Sequence, residues 1–150
     1  MAMYTYWAEI LENGITDGDS IKVRIQLGFN IEHRAELRLF GIDTSEIRNS
    51  DKQLKRYGLT AKKYVADRLK VGEKYPIKTF LDDKAKGKFG RVLAKVYHNG
   101  LTKRCLNEEL CIRHLALVYE GGKRGAAQKI RHRANLKKFL REGKIPLEDL

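Results

Sequence analysis

Residues 21–42, IKVRIQLGFNIEHRAELRLFGI, decide what kind of fold this chain can adopt. Ile21, Val23, Ile25 and Leu27 alternate with Lys22, Arg24 and Gln26, the period-two pattern of a strand with one buried face. AELRLFGI (35–42) is a second strand-length segment, and GFNIEH (28–33) reads as the loop between the two. Alternation puts Leu37, Leu39 and Gly41 on one face and Arg38, Phe40 and Ile42 on the other. Upstream, YTYWAEILE (4–12) is a third strand, joined through the polar turn segment NGITDGDS (13–20). Three short strands linked by glycine-containing turns imply an antiparallel meander, which small barrels close to remove their edges.

Outward from that meander the pattern changes. NSDKQLKR (49–56) is charged and aperiodic, which predicts a surface loop. From Tyr57 to Leu69 apolar or small residues recur at Tyr57, Ala61, Tyr64, Val65 and Leu69, the spacing of an amphipathic helix that Gly72 then stops. YPIKTFL (75–81) and GRVLAKVYHNG (90–100) return to strand, separated by DDKAKGKF (82–89). LNEELCIRHLAL (106–117) predicts a second helix with Leu106, Leu110 and Leu117 on one stripe. A third, weakly amphipathic and basic on most faces, spans about 126–142 and ends at GKIP. The whole chain, 1–150, is thus expected as one α+β domain: a five-stranded β-barrel with three helices, for which the OB-fold is the economical architecture. GGKRG (121–125) lacks the Lys-Ser/Thr ending and preceding strand of a phosphate-binding loop and reads as a turn.

Composition narrows the function. Thirty-one Lys and Arg against nineteen Asp and Glu leave a net charge of +12, which favours polyanions such as nucleic acid. No apolar run approaches the roughly 20 residues needed to span a bilayer, and MAMYTYWAEI has no basic leader followed by an apolar stretch. The expectation is a soluble monomer with no membrane and no obligate protein partner. Its default location is the cytoplasm, with secretion of a longer precursor left open. Cys105 and Cys111 fall six apart on the second helix, pointing away from one another, so no disulfide is expected. His33, His98, His114 and His132 show no zinc spacing and are expected at the surface.

Three patches carry chemistry. In TDGDS (16–20), Asp17 and Gly18 are turn formers, while Asp19 sits at the mouth of the following strand. In GIDTSEIR (41–48), Asp43 and Glu46 follow a strand in which Arg38 is embedded among apolar residues, where a permanent charge needs a partner. KGKFGR (86–91) ends on Arg91 at the start of a strand. Acids able to share a hard cation, a further carboxylate to take a proton and two strand-anchored arginines are the parts of metal-assisted phosphodiester cleavage.

Five landmarks carry a resemblance: TDGDSIKVRI, LRLFGIDTSEIR, YGLTAKKYV, KFGRVLAKVY and LNEELCIRHLALVY. Their order and spacing, from about Ile15 to Tyr119, resemble the staphylococcal-nuclease-like (thermonuclease) family, whose fold is an OB barrel with three helices. The resemblance implies a Ca2+-dependent nuclease cutting DNA and/or RNA endonucleolytically to leave 3′-phosphates. It assigns Asp19, Asp43 and the Thr44 carbonyl to the metal, Arg38 and Arg91 to transition-state stabilisation and Glu46 to the general base. Lys88, Phe89 and Tyr119 would contact the nucleotide. Two departures stand out. Ser45 replaces the family's common proline, which predicts a looser backbone beneath Glu46, and Phe89 replaces a tyrosine, removing a phenolic hydrogen bond. The alternative is a non-catalytic OB-fold nucleic-acid-binding module.

Overall fold

The computed structural model describes residues 3–80, 91–122, 125–146, 148 and 150. β1 (Met3–Asp17) continues through NGITD, where the sequence predicted a turn. Asn13 lies in the left-handed region at φ 55°, and the β1–β2 register shifts between Ile10 and Ile15, so the polar stretch is a bulged strand. Gly14 permits it: a Cβ there would sit 2.6 Å from the Lys22 carbonyl oxygen. The turn itself is confined to Gly18 and Asp19, between the paired residues Asp17 and Ser20.

β2 (Ser20–Gly28) and β3 (Ile31–Leu39) form a hairpin whose turn is only Phe29–Asn30. Both residues have positive φ, 53° and 60°, a geometry that matches strand twist. Ile31–His33, expected in a loop, therefore pair with β2, as in Ile25↔His33. β5 (Lys74–Phe80) and β6 (Arg91–Val96) complete a closed barrel in the order β1-β2-β3-β6-β5. The β3–β6 pairing is parallel, setting Glu36 against Arg91 and Arg38 against Leu93; the others are antiparallel. A two-residue pair, β4 (Ile42–Asp43) with β7 (Leu117–Val118), was not foreseen.

Alternating residues fill the barrel: Ala8 and Ile10, Ile21, Val23 and Ile25, Leu37 and Leu39, Ile77, and Ala94 with Val96, all essentially inaccessible. Full burial of such an aliphatic side chain contributes roughly 1.5–3 kcal/mol. α1 (Lys52–Arg68) packs on this core through Leu54, Tyr57, Gly58, Ala61 and Val65. It starts within the segment expected as a loop, because Asp51 caps it by accepting from the Gln53 and Leu54 amides. α2 (Leu106–Ile112) is shorter than its leucine stripe suggested; the chain leaves it at His114, where φ is 57°. Cys105 and Cys111 are free, as expected, and burial pushes the Cys111 thiol up to about 11. α3 (Ala126–Gly143) follows, and among the described residues no helix is long and apolar enough to cross a membrane.

α1 also reaches the segment after β4. A Cβ on Gly58 would lie 2.3 Å from the Ser45 carbonyl oxygen and 3.2 Å from the Glu46 carbonyl carbon. Gly58→Ala should therefore destabilise the fold by about 1–3 kcal/mol in urea unfolding, although alanine is the better helix former.

Candidate active site

Arg38 is the centre of the site. It lies on β3 opposite Ser20, on the outer face of the barrel, and is only 7% exposed. Its Nη1 is 2.8 Å from Asp19 Oδ2 and its Nη2 is 3.3 Å from Asp43 Oδ1, both carboxylates being buried. Nη2 also donates to the Ile42 carbonyl at 3.1 Å. The contacts join the β1–β2 turn, β3 and β4, and they compensate three charges that would otherwise be costly to bury. Asp19 is held further: Oδ2 accepts from the Thr44 amide at 3.0 Å and Oδ1 from the Ser20 hydroxyl at 3.3 Å. Its own carbonyl accepts from the Leu39 amide at 2.8 Å.

A cleft of about 300 Å3 opens beside this cluster, lined by Asp17, Asp19, Arg38, Thr44, Glu46 and Arg91 among others. Glu46 and Arg91 are exposed, so two of the expected catalytic groups reach solvent at the cleft while Arg38 forms its buried wall. Ser45 stands where a looser backbone was expected, with α1 packed against it. It is buried, its hydroxyl donates to the Leu54 carbonyl at 2.8 Å, and Gly58 packs against it, so α1 fixes the segment that carries Glu46.

Asp17, a turn former by sequence, also belongs to the site. It lines the cleft, and its carboxyl is held above the ordinary 3.8, first by burial and then by the charges of Asp19 and Glu46, against the pull of Lys62 and Arg38. The shift registers burial first and, behind it, the neighbouring carboxylates.

Asp43 is not on the wall of this cleft. Its Oδ2 faces α3, where Gln128 Nε2 and His132 Nε2 each approach to 2.9 Å. These residues line a second cavity of about 140 Å3 with Thr44, Glu46, Asn49 and Lys129. His132 was expected at the surface and is 5% exposed. His98 also departs from that expectation: its ring is buried 2.9 Å from Glu109 Oε2, and burial holds it below the ordinary 6.5 against the pull of that carboxylate. Gln128 and His132 stand four apart on one helix face. That spacing is the only sequence signal they offer, and it does not name Asp43 as their partner.

Tyr119 is half-buried beyond β7, its amide bonded to the Gly41 carbonyl and its hydroxyl to that of Gly122; it is a lining residue of neither cavity. Lys88 and Phe89 lie outside the described residues.

The carboxylates and carbonyls at the cleft are oxygen ligands, the kind hard cations take. Among the described residues no three His, Cys, Asp or Glu side chains converge closely enough to hold a metal alone. An ion here would need carbonyl oxygen and water as well, which calcium readily accepts.

A family model described as staphylococcal nuclease homologue matches residues 36–144. That span includes Arg38, Asp43, Thr44, Glu46, Arg91 and the whole of α3, and the chain belongs to this family. No curated protein matches it.

The crowding at Asp17 has a measurable consequence. A carboxyl raised in the fold is costly when charged, so stability falls as pH rises from the ordinary value of 3.8 through its folded value. Asp17→Asn should raise the melting temperature at neutral pH in metal-free buffer. The gain should shrink on acidification and vanish below 3.8, where wild type and variant melt alike.

Proposed function

We propose that the protein is a Ca2+-dependent nuclease that hydrolyses phosphodiester bonds of DNA and/or RNA, cutting internally and leaving 3′-phosphates. The observation that carries this reading is the grouping of Asp19, Arg38, Glu46 and Arg91 around one cleft, with Asp43 joined to it through Arg38. The net charge of +12 supports a polyanionic substrate.

Asp19, Asp43 and the Thr44 carbonyl would hold the ion, which when bound polarises the phosphate and offsets its charge. Glu46, exposed at the cleft, accepts the proton of the attacking water. As the water oxygen bonds to phosphorus, the bond to the 5′-oxygen breaks; that oxygen leaves with the bonding pair and takes up a proton. Arg38 and Arg91 donate to the non-bridging oxygens, where charge accumulates in the five-coordinate transition state. Arg38 is suited to this by rigidity, since the Ile42 carbonyl and Asp43 accept from it and Asp19 pairs with it.

Incubation with single-stranded DNA and with RNA, in calcium and in excess chelator, tests the reading. Calcium should give shortened products, and chelator should abolish them. Arg91→Ala should lower turnover by roughly 10³–10⁵-fold, as for other transition-state arginines. Glu46→Gln should cost on the order of 10²–10⁴-fold. Substrate that shifts in mobility without shortening identifies a non-catalytic binding module instead.

A further inference from the structure

Asp43 is where the site meets α3. It is only 3% exposed, and both of its carboxylate oxygens have protein partners. Oδ1 points to Arg38 Nη2, and Oδ2 is shared by Gln128 Nε2 and His132 Nε2, both at 2.9 Å. The two α3 residues are 8% and 5% exposed and lie one helical turn apart. Two buried N–H donors converging on one oxygen fix the carboxylate's rotation, since turning it would strand both donors.

The helix that delivers them is itself tied down. Asn135 Nδ2 donates to the Tyr57 hydroxyl at 2.8 Å, to the His114 carbonyl at 3.1 Å and to the Ala116 carbonyl at 3.3 Å. Tyr57 is fully buried in α1 and donates to the His114 carbonyl. His132 Nδ1 is buried with no hydrogen-bond partner among the described residues, so the bond to Asp43 is what orients the ring. The structure therefore spends a buried imidazole and a buried amide on one oxygen of one acid.

We propose that Gln128 and His132 are positioning residues for Asp43: by holding Oδ2 they keep Oδ1 on Arg38, the residue that joins Asp43 to the cleft a cation would occupy. The proposal rests on the calcium reading of the cleft. Groups that orient a metal ligand from behind commonly govern metal affinity without touching the ion. α3, 85 and 89 residues along the chain from Asp43, would then set how tightly calcium binds.

The test is calcium titration by calorimetry in the absence of nucleic acid, with thermal melts in parallel and cleavage kinetics resolved into kcat and KM. His132→Ala and Gln128→Ala should each weaken calcium binding by about 10–100-fold. His132→Gln, whose amide nitrogen can take the place of Nε2, should recover most of the loss. Leu140→Ala, on a partly buried α3 position packed against the core, should lower the melting temperature. It should leave calcium affinity within about two-fold, because it shares no partner with Asp43. If His132→Ala fails to fold, Gln128→Ala reads the same contact. Wild-type binding with unchanged affinity in both alanine variants overturns the role of α3 and leaves the calcium reading standing. A Leu140→Ala loss as large as that of His132→Ala also overturns it, because general loosening then accounts for the effect. A wild-type chain that takes up no calcium overturns the metal reading, and this role with it.

Discussion

The Arg38 guanidinium, lodged between Asp19 and Asp43, is the contact on which the rest of this structure depends. A buried cation has to be compensated, and here the two acids come from a turn before β2 and a short strand after β3. Their meeting requires the β2–β3 register that sets Ser20 against Arg38. A slip of one residue would turn Arg38 into the barrel interior and bring Leu37 or Leu39 out. Barrel register and site geometry are thus one constraint, enforced by the same inward-facing aliphatic residues that make the core.

Around that pair the site is braced from two sides. On one, α1 closes against it: Gly18 is so near Ala61 and Thr44 that a Cβ would lie 2.9 and 3.0 Å from their side chains. Ser45 is bonded to Leu54, and Gly58 leaves room for the backbone leading to Glu46. On the other, α3 reaches Asp43 with Gln128 and His132. Rigid support of this sort is what electrostatic stabilisation of a transition state requires, because donors held in place need no reorganisation when charge develops. The exposed groups, Glu46 and Arg91, stand on this frame facing the cleft.

Asp17, Asp19 and Glu46 all line the cleft beside Arg38 and Arg91. A strongly basic protein has concentrated acids at one end of its barrel and set two arginines among them. Part of that concentration is structural, since Arg38 pairs with both Asp19 and Asp43.

Much of this was legible in the residues. Period-two alternation in IKVRIQL and AELRLF determined the strands and their inward faces, because a sheet side chain has only two directions to choose from. An arginine amid LRLF and carboxylates at the strand end pointed to the ion pairs that Arg38 makes, because isolated charge among apolar neighbours demands compensation. Helical spacing placed α1 from Tyr57 onward, and helix-favouring residues bounded α3. What the linear pattern could not decide were partners chosen by packing. The bulge at Asn13, the Asp51 cap that lengthens α1 and the Ser45 hydroxyl on Leu54 depend on local backbone angles and neighbours. The meeting of Asp43 with Gln128 and His132 depends on where α3 docks. α3 is only weakly amphipathic in sequence because part of its buried face is polar, satisfied by specific hydrogen bonds rather than by apolar contact. Hydrophobic periodicity records burial by apolar contact alone, so a face buried through directional bonds is invisible until the tertiary structure supplies the other half of each bond.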